Sequence, residues 1–123
     1  MSPRACAAVL ALGLLLSSER ACAQKAQDPD PFWGPDKALH LGVSAAITGG
    51  GYGLSCVIDQ NVGARAAIAA SLGIGAGLAK EVADALGLGT PSWKDFLWDV
   101  IGTGISLSLA VSLDLGVRAA EGR

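Results

Sequence analysis

The chain holds a single histidine, His40, which follows Asp36 by four residues and Lys37 by three. Two more strings of charge interrupt an otherwise apolar sequence, Lys80-Glu81-x-x-Asp84 and Asp95-x-x-x-Asp99. A histidine oriented by a carboxylate is suited to general acid or base chemistry. Lysines and helix N-termini hold anions, phosphates among them. His40, Glu81 and Asp99 are therefore the candidate catalytic residues, and Lys37, Lys80, Asp84, Asp36 and Asp95 the candidate binding residues. In that scheme His40 is the acid or base, Glu81 or Asp99 orients it, and Lys37 holds an anionic headgroup together with the N-termini of the first and third helices. No metal is expected, because neither a second histidine nor a cysteine pair accompanies His40 at ligand spacing. No cofactor is expected either. A serine-nucleophile elbow, a P-loop and a Cys–His arrangement are all missing, so no enzyme class is named.

Each of these residues also has a plainer role. Asp36 and Asp95 fall at helix N-termini, where a carboxylate is stabilising by about 0.3–1 kcal/mol. Lys80 and Asp84 are four apart and can pair, as can Asp114 and Arg118. Arg65 and Lys94 read as interfacial anchors, and Cys56 as a small apolar residue. Glu81 and Asp84 lie at the negative end of a helix dipole and need a compensating cation, for which Lys37 and His40 are available. Asp99 lies one turn inside an apolar helix, where a lone carboxylate costs about 2.5–3.5 kcal/mol. An ion-pair network between helices accounts for all of them without chemistry. Two function classes therefore stand. In one, the protein has a structural or accessory role and the cluster is a clamp. In the other, it is an enzyme or binding protein for a phosphate-bearing or lipid-linked headgroup. Only the second predicts an open pocket around His40.

The elements that position these residues follow from composition and hydropathy. Of 123 residues, 51% are hydrophobic and 16% charged, and the mean hydropathy is +0.46. Soluble domains carry about 25% charge, and a disordered chain is less apolar still. A formal charge of −2 gives no footprint for nucleic acid. Residues 1–23 read as a signal peptide: Arg4, an apolar run from Ala5 to Ser18, and the cleavage signature Ala21-Cys22-Ala23. Lipidation at Cys22 is the alternative, although Glu19 and Arg20 make a poor lipobox; an uncleaved anchor would leave the remaining topology unchanged. A polar, Pro-rich linker (24–34) follows.

Three apolar stretches come next, Ala38–Ile58, Val62–Ala79 (in helical register to Leu86) and Phe96–Leu115. Each has the length of a membrane-spanning helix, and none alternates like a strand. The fold class is all-α: a compact three-helix membrane bundle over 35–115 with a polar tail, 116–123. Pro35 suits a first helical turn, and Ser92-x-x-Asp95 is a capping box for the third helix. The inward stripes are expected to be Lys37, His40, Ser44, Thr48, Gly51 and Ser55 on the first helix. Ala66, Ala70, Gly73 and Gly77 lead into Glu81 and Asp84 on the second, and Asp95, Asp99, Gly102, Ser106 and Ala110 line the third. With Gln24 exported, Arg65, Arg118 and Arg123 fall inside. Phe32, Trp33, Trp93, Phe96 and Trp98 form an outer aromatic belt. All the charged strings meet at that outer face. The expected setting is the bacterial cell envelope, with the charged face toward the periplasm and membrane lipid as the partner. A second copy or another envelope protein is a further candidate partner.

The strings Asp36-Lys37-Ala38-Leu39-His40 with Ser44, Gly77-x-x-Lys80-Glu81-x-x-Asp84, and Ser92-Trp93-Lys94-Asp95-Phe96-x-Trp98-Asp99-x-x-Gly102 together resemble the YfiM-type family of bacterial envelope lipoproteins. The resemblance spans about residues 33–106. It implies an envelope location and lipoprotein character, and it names no reaction. The chain departs from the family at its lipobox. A more distant similarity is to VanZ-like membrane proteins, which share the Asp-Lys-x-x-His start, an acidic helix end and a helix opening on paired aspartates. That similarity implies a link to the cell envelope and glycopeptide resistance.

Overall fold

The computed structural model describes residues 28–122. The expected signal peptide with Cys22, and the start of the linker, lie outside the described residues. So does Arg123. Three helices form the bundle: α1 (Pro35–Ser55), α2 (Val62–Ala83) and α3 (Trp93–Ala120). No strand occurs among the described residues. Each helix packs against both others, most extensively α1 against α3.

The boundaries have local causes. Pro35 opens α1 where its missing N–H is no loss, with Asp36 in the same turn. Asn61 caps α2 by accepting from the Ala64 N–H at 3.1 Å, and Ser92 caps α3 by accepting from the Asp95 N–H at 3.3 Å. α2 does not run on as an α-helix to Leu86. It widens into a π-helical turn at Asp84–Leu88. Gly87 there takes a φ of 101°, in the left-handed region that glycine enters freely, and the chain turns away toward α3. α3 reaches Ala120, beyond the expected end at Leu115.

The bundle is inverted relative to a soluble one. Buried side chains include Lys37, Ser44, Thr48, Ser55, Arg65, Asp95, Asp99 and Thr103, while the buried hydrophobic residues among the described ones are Tyr52 and Ala69. Leucine, isoleucine and valine side chains point outward along all three helices, as at Leu39, Leu54, Leu72, Leu78, Leu109 and Leu113. The expected stripe of α1 lies inward as drawn, with Lys37, Ser44, Thr48, Gly51 and Ser55 buried. On α2 the inward face is Arg65, Ala69, Gly73 and Gly77, so its first half is turned one residue from the expected Ala66 and Ala70. Arg65, the first residue of that face, reaches inward to Asp114.

Two helical segments, Val62–Leu88 and Trp93–Ala120, are long and apolar enough to cross a membrane, and only 22% and 11% of their most apolar windows are buried. A core helix of a soluble protein would be mostly buried. α1, with 21 residues, has the length for a span, but it is not one of the two. Asp36, Lys37 and His40 together with its serines, threonine and glycines dilute its hydropathy.

Candidate functional site

The charged strings come from the start of α1, the end of α2 and the start of α3, and the up-down-up path brings those three ends together. Lys37 lies 3% exposed inside this layer and pairs with Asp95, itself 5% exposed. Asp36 stands 3.6 Å from the same ammonium. His40 faces Asp99 with Nδ1 3.1 Å from both carboxylate oxygens. Toward an ionised carboxylate, which only accepts, Nδ1 is the donor of this pair. Nε2 points toward Asp95 Oδ2 at 3.7 Å. Of the two carboxylates expected to orient His40, Asp99 does so.

Glu81 does other work. Its Oε2 accepts from the Ser92 backbone N–H at 2.6 Å. The end of α2 thereby satisfies a donor at the beginning of α3, the service that the box residue Asp95 was expected to perform. Asp95 instead gathers Lys37, His40 and Lys80. The expected Lys80–Asp84 pair forms, and the same lysine, not Lys37 or His40, is the cation beside Glu81. Lys80 lies 3.3 Å from Glu81 and 2.9 Å from Asp84, and 3.5 Å from Asp95. A neighbour on the same helix reaches these carboxylates more directly than Lys37 or His40, which the α1–α3 contact turns toward Asp95 and Asp99. No buried side-chain nitrogen or oxygen among the described residues lacks a hydrogen-bond partner.

Asp36, His40 and Asp95 bring potential ligand atoms within 4.8 Å of one another. The Lys37 ammonium lies against Asp95 and beside Asp36, so the carboxylates of this set already share a cation of the protein's own. That donor set suits an ion pair better than a metal.

Beneath the layer, α1 and α2 leave an open groove of about 230 Å³. Leu39, Val43 and Ile47 form one wall, Gly73, Ala76 and Gly77 the other, and His40, Lys80 and Asp99 close the polar end. The glycines are required elsewhere in the packing too: a Cβ on Gly77 would come within 2.8 Å of the Asp99 side chain. Of the candidate residues, His40, Lys80 and Asp99 line the groove; Lys37, Glu81, Asp84, Asp36 and Asp95 do not.

A second network, of which the sequence shows only the Asp114–Arg118 pair, lies at the opposite end. Arg65 is 4% exposed, so it is an internal residue and not an interfacial anchor. Its guanidinium donates to Asp114 at 2.8 Å and to the Asp59 carbonyl at 2.6 Å. The Tyr52 hydroxyl donates to Asp114 at 2.7 Å, and Arg118 donates to the same carboxylate at 2.8 Å. The last contact is the expected four-residue pair. Tyr52, four residues from Thr48 on the inward stripe, carried the signal that this network existed. Cys56 is half-buried, with its thiol toward the Tyr52 carbonyl.

No protein-family model, curated protein or solved structure matches this chain. The functional reading therefore rests on geometry.

Proposed function

We propose that the protein is a small membrane-embedded protein of the bacterial cell envelope with a structural or accessory role, in which two polar networks clamp three helices. The inverted bundle is the observation that carries this reading. Water would face a surface of exposed leucine, isoleucine and valine, whereas lipid tails are as apolar as those side chains. Buried polar groups with partners hold helices together where no hydrophobic drive exists between them. α1 joins the two apolar helices in the bilayer because its polar stripe is turned inward, against α2 and α3.

The aromatic residues support one orientation. Trp33 and Trp93 are 64% and 68% exposed and stand at the charged end. There Trp33 meets Trp98 edge-on at 5.0 Å, and the Trp98 indole donates to the Phe32 carbonyl at 2.8 Å. Trp favours the membrane–water boundary. With an exported N-terminus, this end faces the periplasm, in keeping with the YfiM-type resemblance. The signal peptide belongs to the same proposal.

The His40–Asp99 pair beside the groove favours a second reading, binding or chemistry at a lipid headgroup. Carbonate extraction of membranes from cells making the protein tests the embedding itself. Retention in the pellet is expected, and release into the supernatant would overturn it.

A further inference from the structure

We propose that the groove between α1 and α2 holds one hydrocarbon chain of a membrane lipid whose headgroup carries both an ammonium and a phosphodiester. The proposal rests on the membrane-embedded reading above and deepens it.

The groove fits a chain. Its walls are Leu39, Val43 and Ile47 on α1 facing Gly73, Ala76 and Gly77 on α2. The volume of about 230 Å³ exceeds the roughly 150 Å³ of an engineered apolar cavity that holds benzene, which leaves room for a stretch of hydrocarbon chain. The lining offers water few partners below His40 and Lys80. Hydrocarbon is the filling it favours, and in a bilayer the chains of neighbouring lipids are the hydrocarbon at hand.

The polar end selects the headgroup by charge. Asp36, Glu81, Asp84, Asp95 and Asp99 outnumber Lys37, Lys80, Lys94 and His40 in this layer. A phosphate monoester, carrying close to two charges at neutral pH, meets a surplus of carboxylates and is repelled. A headgroup that brings its own ammonium is not. The Lys80 side chain, 41% exposed, is the cation on the groove wall that a phosphodiester reaches. Asp36, with a side chain 64% exposed, is the carboxylate at the surface for the ammonium. Asp95 links the two, 3.5 Å from Lys80 and clustered with Asp36. The broader expectation of any phosphate-bearing headgroup thus narrows to a zwitterionic one.

The test is native mass spectrometry of the full protein in detergent, with added phosphatidylethanolamine, phosphatidylglycerol or phosphatidic acid, and with glycerophosphoethanolamine as the phosphodiester headgroup without chains. One phosphatidylethanolamine is expected per protein, retained at least about tenfold more tightly than either anionic lipid, with no retention of glycerophosphoethanolamine. Ala76→Phe fills the groove without touching an ion pair and abolishes that adduct. Val43→Phe does the same from the other wall and serves if the first variant fails to fold, which its melting curve in detergent reports. Asp36→Asn removes the preference for the zwitterionic lipid over the anionic ones, because the ammonium loses its carboxylate. Equal adducts from all three lipids, or an undiminished adduct in a folded groove-filling variant, would overturn the proposal. Binding of glycerophosphoethanolamine alone would also overturn it, because the headgroup would then need no chain. The embedding fails separately, by release in carbonate.

Discussion

Glu81, near the end of α2, accepts a hydrogen bond from the Ser92 backbone N–H at the start of α3, at 2.6 Å. One side chain thus joins two helix ends across the π-helical turn, and its own negative charge at the C-terminal end of α2 is offset by Lys80. A carboxylate placed against a helix dipole is explained by the donor it serves on the next helix. Glu81→Ala is expected to lower stability in detergent by about 1–3 kcal/mol, the cost of leaving a partly buried donor unmet. Glu81→Gln keeps an acceptor oxygen and should lose clearly less. Thermal unfolding followed by circular dichroism separates the two, and equal losses would show that charge, not the cap, is what Glu81 contributes.

Lys37 and Asp95 are the deepest ion pair of the upper layer. Removing the ammonium by Lys37→Ala leaves Asp95 buried with fewer partners, and the expected loss is about 3–5 kcal/mol. The double variant Lys37→Met with Asp95→Leu should fall short of the sum of the two single losses by about 0.5–3 kcal/mol. A double-mutant cycle without coupling would mean that the pair does not hold α1 to α3.

His40 and Asp99 decide between clamp and site. As a clamp, the pair should lose stability on either His40→Ala or Asp99→Ala, by about 1–3 kcal/mol, and Asp99→Asn should be milder because its amide oxygen still accepts from Nδ1. Both alanine variants melting at or above the wild-type temperature would shift the balance to a binding or catalytic role, since such residues are kept at a cost to the fold.

At the opposite end, Arg65 donates both to Asp114 and to the Asp59 carbonyl. A lysine has the charge but lacks the fork. Arg65→Lys is expected to lower the melting temperature almost as much as Arg65→Ala, and Tyr52→Phe to lower it less, since Asp114 keeps its two arginines. A lysine variant as stable as wild type would show that charge alone suffices there.

The two kinds of glycine on α2 should behave oppositely. A Cβ on Gly77 runs into the Asp99 side chain, whereas one on Gly75 meets nothing within 4 Å. Gly77→Ala is expected to destabilise by about 1–3 kcal/mol through overpacking, and Gly75→Ala to be neutral or stabilising by up to about 1 kcal/mol. Parallel melting curves check both.

The sequence by itself determined the all-α class, the boundary at Pro35, the cap at Ser92 and the inward stripe of α1. These depend on local hydropathy, helical period and capping, and each can be read within a few turns of chain. It also determined that His40, Lys80 and Asp99 would share one end of the bundle, because three antiparallel helices joined by short connections leave no other arrangement. The pairs four residues apart, Lys80 with Asp84 and Asp114 with Arg118, were legible too. Only the tertiary structure decided the partners that charges take between helices. Asp95 leaves the capping role for Lys37, and Glu81 takes up the Ser92 N–H. Arg65 turns inward to Asp114. The physical reason is that periodicity places a residue on a face to within about 100° of helix rotation. An ion pair or hydrogen bond requires the rotation and axial offset of two helices to within about an ångström, and those are set by how Gly73, Gly77 and Gly102 let the backbones approach.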